Sequence, residues 1–487
     1  MRCCPVTSYV EPVVLRAPTV PPAARSAVER AKVELDRALG GSKVSVERST
    51  RERFGIDESD VEGRLPDVVV FAESATDIAS TMRIAEECGV YVTPRAAGTG
   101  RTGGATCVGG GIVLVTTGMT GIKSIDTENL LAVVLPGTVL SEFQAIVEQE
   151  GLFYPPDPSS FDTCTLGGNV AENAGGPRAF KYGVTRDYVL GIEAVLMGGT
   201  SVRAGRRTTK GVVGYDVTSL LVGSEGTLAV FSELTLRLVA APNELATMMA
   251  TFDSVRDAAE AVRLIVLDGL VPRCLELLDD AALACMRADG AAVDPSARAM
   301  LLIEIDGSSI SPVVERMGNV LASVPGCREV LVAQDAAQRD RVWAARRNLS
   351  RSIRKTARYK LSEDVVVPRT EMVQLLDQTA ISCKKLGVRH LAYGHAGDGN
   401  LHVNFLWDDE SIRPHVDKAV DQLMRDTIAL NGTLSGEHGI GVSKMQYLPL
   451  EQSSELIDLQ RRVKCAFDPH GLLNPGKIFP KAGHGAC

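Results

Sequence analysis

The chain has 487 residues, 45% of them hydrophobic, and a formal net charge of −8. Single cores stop growing at about 250–300 residues, so this length implies two domains; the negative charge disfavours the sequence-independent phosphate attraction of a nucleic-acid binder. No run approaches the ~18 consecutive apolar residues of a membrane span, since Val68 to Ala72 and Ala299 to Ile303 are only strand-sized.

The first twenty residues lack the continuous apolar core of a secretory signal, although Arg2 and Arg16 with a single acidic Glu11 leave a weak case for a mitochondrial presequence. Eleven cysteines are scattered without a CxxC pair, which suits a reducing compartment, and the cytoplasm is the expected location. Cys3 and Cys4 read as tail residues, and the cysteines do not cluster as an iron-sulfur site would require. From Pro66, PDVVVFAES, TDIASTMRIAEECG and VYVTPRA read as strand, helix and strand, with Gly89 ending the helix. Strands follow at Ile112 to Thr116, Leu130 to Leu135 and Ile192 to Met197, and a helix starts near Ser141 and Glu142.

Near Pro242 the glycine-rich loops give way to a plain alternation of strands and helices. In the helix after Ser254, Val255, Ala258, Ala259, Val262 and Val266 are expected on the buried face, with Gly269 closing it. Strands at Leu301 to Ile305, Glu329 to Val332 and Asp364 to Val367 complete an α+β second domain. The expected division is a segment over 1–61, a first domain over 62–242 and a second over 243–487.

PRAAGTGRTGGAT satisfies GxGxxG spacing at Gly98, Gly100 and Gly103, but further glycines precede another strand where a Rossmann loop would open a long helix. The segment is therefore a surface turn, or an anion-binding nest in which Thr99 and Thr102 assist the backbone amides. The paired glycines of CTLGGNVAENAGG favour the nest, because small residues let backbone approach a large planar ligand.

In GHAGDGNLHVNF, glycines make a turn between His395 and His402, and alternation puts His402 and Asn404 on one strand face with Leu401, Val403 and Phe405 on the other. Glu437 and His438 lie between Gly436 and Gly439, where a loop can aim them differently. His395, His402 and Glu437 are either ordinary hydrogen-bonding side chains or an open two-imidazole, one-carboxylate shell for zinc or manganese. The same ligand set also suits a non-haem iron oxygenase.

PRAAGTGRTGGA, PPDPSS, CTLGGNVAENAGG, KYGVTRDYVLG, KGVVGYDVTSLLVGSEGTL, YGHAGDGNLHVN, SGEHGIG and FDPHGLLNPGKI occur in that order. With them the chain resembles the FAD-linked oxidases of the vanillyl-alcohol oxidase superfamily, in the branch of glycolate oxidase D subunits and D-lactate dehydrogenases, from Pro66 to Pro480. The resemblance implies an α+β protein: a vanillyl-alcohol-oxidase-type FAD-binding domain over 62–242, the 1–61 segment packed on it, and an α+β substrate or cap domain whose C-terminal segment returns towards the flavin. Arg95, Gly98, Thr99, Gly100, Arg101, Thr102, Gly103 and Gly104 carry over to the pyrophosphate. Pro158, Ser159, Thr165, Gly168, Asn169, Asn173, Gly175, Gly176, Glu225, Gly226, Val230 and Asn474 carry over to other FAD contacts. RAAG replaces the RGAG of many relatives, which matters only if Ala96 requires positive φ.

The implied activity is oxidation of a small D-2-hydroxy acid, D-lactate or glycolate, by hydride transfer to flavin. His395, His402 and Glu437 are then the metal ligands, His438 the general base, and Asn404, Arg346 and, less directly, Lys360 the substrate contacts. Without family context Arg346 reads as an exposed helix charge. Every histidine lies at His390 or later, so no histidine stands in the inferred FAD domain and the flavin is expected to be non-covalent unless a Cys or Tyr link forms. A D-2-hydroxyglutarate-type dehydrogenase or a non-catalytic FAD-binding electron-transfer or assembly subunit are the alternatives. The acceptor would be oxygen, a quinone, a cytochrome, an electron-transfer flavoprotein or an iron-sulfur partner subunit, with membrane association through partner subunits only.

Overall fold

The computed structural model describes residues 15–16 and 18–480; Cys3, Cys4 and most of the presequence-like stretch lie outside them. The chain forms two compact units. The first comprises the described residues up to Gly175, then Gly183–Ala241 and the chain from Glu437 onward; the second comprises Gly176–Tyr182 and Pro242–Gly436.

In the first unit, strand Val68–Phe71, helix Ala75–Cys88 and strand Val92–Arg95 follow the expected order. Ser74 caps the helix by accepting from Asp77 N–H, and Gly89 ends it in the left-handed region at φ 69°. The two strands are not neighbours. Strand Ile112–Val115 lies between them, parallel to both, and all four of its side chains are buried. Val68, Val70, Ile78, Met82, Val92, Ile112 and Leu114 share one core. Burying each such side chain contributes about 1.5–3 kcal/mol, which fixes the strand end from which the first glycine loop departs.

A five-stranded antiparallel sheet contains Ile122–Asp126, Leu131–Val134, Val189–Val195, Ser201–Gly205 and Val230–Arg237. The helix expected near Ser141 spans Leu140–Gln149; its N-cap is Val139, without a side-chain cap, while Glu142 does occupy the first turn. The C-terminal segment returns to the first sheet, where Leu473 bridges Val92 and the Asn474 N–H donates to the Val92 carbonyl.

The second unit is built on a seven-stranded sheet. Its order is Cys327–Val332, Glu244–Phe252, Ala299–Gly307, Cys274–Asp279, Arg389–His395, Asn400–Trp407 and Tyr359–Val366. All neighbouring pairs are antiparallel. Helix Val255–Leu267 buries Ala258, Ala261, Val262 and Ile265, so the expected face is rotated and Val255, Ala259 and Val266 are only half-buried. Helices Asp280–Ala288 and Ala336–Arg354 cover one sheet face through Leu278, Leu283, Met286, Met300, Leu349 and Ile353. Tyr182 and Lys181 attach the short Gly176–Tyr182 segment to this unit, Tyr182 donating to Asp306 over 2.7 Å and Lys181 pairing with the same carboxylate.

Candidate active site

In the first unit, the two glycine-rich segments wall one cleft of about 1180 Å³, open mouth included. Arg95, Gly98, Thr99, Gly100, Arg101, Gly104, Pro158, Ser159, Thr165, Gly168, Asn169, Gly175, Glu225, Gly226 and Val230 line it, together with Glu437 and His438. Gly98, not Ala96, is the position with positive φ, at 79°, so the RAAG departure carries no backbone strain.

Five expected cofactor residues are absent from the wall, and four of them tie loops together through backbone or side chain. The Thr102 carbonyl accepts from Val442 and Ser443 N–H, and its hydroxyl donates to the His438 carbonyl over 3.0 Å. The Gly103 carbonyl accepts from Lys477. Asn173 ends the short helix Leu166–Glu172 in the left-handed region, and its side-chain oxygen accepts from Arg186 N–H. Asn474 donates to the carbonyls of Gly104 and Glu225 over 3.0 and 2.8 Å, joining two cleft walls. Gly176 belongs to the second unit.

Several lining residues act on the loops instead of pointing a charge into the cleft. Arg95 donates to the Ile56 carbonyl and lies over the Phe54 ring, and burial lowers the pKa of its guanidinium. Arg101 pairs with Glu58 at 3.3 Å. The Glu225 carboxylate accepts from the N–H groups of Ile440 and Gly441 over 2.9 and 2.6 Å, so it clamps the turn that follows His438. Burial raises the pKa of Glu225 against those two bonds; Glu172 is raised well above 4.5 by burial and by the charges of Glu225 and Asp57. Buried Lys477 is pushed down to about 8 by desolvation, which the surrounding acids only partly oppose. Glu172 and Lys477 lie within the quoted motifs, but the sequence assigned no role to them or to Thr116, because their partners come from distant segments.

The expectation that no histidine accompanies the FAD segments is corrected by this unit. His438 lies beyond residue 242 in sequence but in the cleft wall in space, with Nε2 3.7 Å from Glu437 Oε1. Gly439 and Gly441, at φ 77° and 50°, make the turn that carries them.

In the second unit, strand pairing sets Glu276 opposite His395, His395 opposite Asn400, and Tyr393 and Asp364 on either side of His402. Side chains directly opposite in a ladder share a face, so these polar groups form one patch on the sheet. The turn between His395 and His402 and the common face of His402 and Asn404 are as expected, while Leu401, Val403 and Phe405 are buried on the other face. The imidazole rings of His395 and His402 are 5.2 Å apart and perpendicular. Asn404 donates to the His402 carbonyl, and its Oδ1 is buried with no hydrogen-bond partner.

Arg346 is not the exposed charge its sequence neighbourhood suggests. Its guanidinium stacks 4.6 Å from the Tyr393 ring centre and donates to Glu276 Oε2 through Nε and Nη2 at 3.0 and 2.5 Å. Glu276 Oε1 meets His395 Nδ1 at 2.5 Å. Burial raises the pKa of Glu276, but His395 and Arg346 beside it outweigh that effect and hold it below 4.5. Lys360 is buried, with Nζ on Ser350 Oγ at 2.9 Å. Asp364 accepts from Asn400, Ser435 and Gly436, the last residue of this unit.

Residues 66–205 match the model of the FAD binding domain, and residues 241–478 that of the FAD linked oxidases, C-terminal domain. The chain is 37% identical to glycolate oxidase subunit GlcD of Bacillus subtilis (strain 168), over 92% of this chain and 97% of that one. It is 34% identical to D-lactate dehydrogenase of Anaerostipes hadrus, with 92% and 97% covered. Its fold matches substrate-bound p-cresol methylhydroxylase with a TM-score of 0.79 at 14% identity, over 94% of this chain and 98% of that one. The fold and cleft define an FAD-binding oxidoreductase. The chain belongs to the FAD-linked oxidase family, within the vanillyl-alcohol oxidase superfamily.

The cleft fits FAD on its own geometry. Thr165 Oγ1 is a buried wall atom without a partner. A Cβ on Gly168 would stand 3.0 Å from Ala96 Cβ, so that wall has room for backbone approach but not for a side chain. Among the described residues, no helix is long and apolar enough to cross a membrane.

Proposed function

We propose that this protein oxidises a small D-2-hydroxy acid, D-lactate or glycolate, to the 2-oxo acid. The observation that carries the reading is the buried polar patch of His395, His402 and Asn404, with an unpartnered acceptor on Asn404. Buried polar atoms are nearly always paired, so an open acceptor among imidazoles suits a polar ligand. FAD, bound without a covalent link, would supply the hydride acceptor.

His395, His402 and Glu437 are proposed to hold zinc or manganese, which would make a substrate hydroxyl easier to deprotonate. The donor set fits: His395 places Nδ1 on the Glu276 carboxylate, the arrangement usual for metal-ligating imidazoles. Glu437 follows directly on Gly436, whose N–H is tied to the carboxylate of Asp364, the strand partner of His402. His438 accepts the hydroxyl proton at its imidazole. Arg346 receives the substrate carboxylate on the guanidinium edge that Glu276 does not use, and Asn404 orients the substrate. Lys360, whose Nζ lies on Ser350 Oγ, is proposed as a weaker substrate contact. An external acceptor reoxidises the flavin.

Anaerobic flavin bleaching across D- and L-2-hydroxy acids, D-2-hydroxyglutarate included, tests the activity. D-lactate or glycolate should bleach fastest, and no bleaching by any D-acid would defeat the reading. His438→Ala should keep FAD and metal while slowing bleaching by roughly 10²-fold or more; loss of metal would make His438 a ligand instead.

A further inference from the structure

We infer that Glu276 is a positioning residue that sets the tautomer of His395. The inference deepens the proposed metal site and rests on that reading for its function, but the geometry behind it lies wholly within one sheet and the helix covering it.

Glu276 is fully buried on strand Cys274–Asp279, opposite His395 on strand Arg389–His395. Its two oxygens are divided. Oε1 faces His395 Nδ1 at 2.5 Å, and Oε2 receives both Nε and Nη2 of Arg346 from helix Ala336–Arg354. An ionised carboxylate accepts only, and a guanidinium donates only. Arg346 therefore keeps Glu276 charged, and the charged oxygen obliges His395 to carry its proton on Nδ1. In that tautomer the lone pair lies on Nε2. The second His ring stands 5.2 Å away, perpendicular to it. Tyr393, stacked on Arg346, keeps that cation from leaving the carboxylate.

The same bonding rules predict what an isosteric change does. In Glu276→Gln the amide must turn its oxygen towards Arg346, which cannot accept. Its NH2 group then faces His395 Nδ1, which can satisfy that donor only as an acceptor. The imidazole proton moves to Nε2 and occupies the position needed for ligation. A residue that merely fills space would leave the tautomer unchanged when replaced by its isostere.

The experiment uses FAD-loaded protein labelled with 15N-histidine, with His395 assigned by difference against His395→Ala. Two-bond 15N–1H spectra should report Nδ1–H in the wild type and Nε2–H in Glu276→Gln, and zinc titration against a chelating dye should give an affinity 10–100-fold lower in the variant. Glu276→Ala serves as the second variant and should give mixed tautomers with a similar loss. An unchanged His395 tautomer in Glu276→Gln overturns the inference. So does a zinc affinity within about twofold of wild type while His395→Ala abolishes binding; the metal reading would then survive without Glu276. If the wild type binds neither zinc nor manganese, the metal reading falls and the tautomer spectra alone decide the role of Glu276.

Discussion

Replacing Lys477 by Met tests whether the first glycine loop is held by a buried ammonium group. The Nζ of Lys477 donates to the carbonyls of Gly103 and Thr106. Its pKa is pushed from 10.5 to about 8, by burial first, with Asp57, Cys107, Glu225 and Glu172 opposing. That depression corresponds to ~3 kcal/mol of penalty for burying the charged form. Below the folded value both states are protonated and the penalty is complete. Between about 8 and 10.5 the unfolded chain binds more protons, so this contribution to stability rises with pH.

Met removes the penalty and also orphans two carbonyls, at roughly 1–3 kcal/mol each. The effects nearly cancel near neutrality, leaving the variant between about 1 kcal/mol more stable and about 3 kcal/mol less stable. At about pH 9.5 the wild type has recovered ~2 kcal/mol that the variant cannot recover. Parallel urea unfolding of both proteins at about pH 7 and about pH 9.5 measures the stability of wild type minus variant, which should rise by ~2 kcal/mol. A wild-type-minus-variant difference that is unchanged or lower at high pH refutes the buried-ammonium account.

Glu172→Gln should stabilise the protein at neutral pH. The folded pKa of Glu172 is raised above 4.5 by burial and then by neighbouring acids, so its contribution is intact below that value and declines as pH rises; a variant melting below wild type at neutral pH would contradict this. Gly98→Ala places a Cβ against the Arg95 guanidinium at φ 79°, and left-handed strain of roughly 1–2 kcal/mol should weaken FAD binding about tenfold, as read by fluorescence titration. Acid precipitation should release the flavin into the supernatant; yellow colour that stays in the pellet, and is lost in His438→Ala, would identify His438 as an attachment point.

The elements that sequence reveals here are those whose signal is local. The helix Ala75–Cys88 carries its own N-cap and its own terminating glycine, and the alternation of NLHVNF fixes the faces of His402 and Asn404. The helix expected near Ser141 begins at Leu140, so Ser141 and Glu142 lie in its first turn. The face of Val255–Leu267 was rotated because tertiary packing chose Ala261 and Ile265 over equally apolar neighbours. Glu276 could not be anticipated at all: 119 residues separate it from His395, and only strand register makes them partners. His438 was marked by its glycine-flanked motif, but its place beside the glycine loops depends on Thr102 and Glu225, which lie far from it in sequence.

The return of Leu473, Asn474 and Lys477 to the first sheet and its glycine loop has a consequence for biosynthesis. A chain emerging from the ribosome exposes the glycine-rich segments near residues 98 and 168 long before the residues that tie their walls together exist. The second unit, from Pro242 to Gly436, is synthesised in between and contains its whole seven-stranded sheet. It can form while the cleft is still unfinished. Loading of the flavin is thereby deferred until translation has passed Lys477, and a nascent chain stalled before that point should fold its sheet yet fail to retain the cofactor.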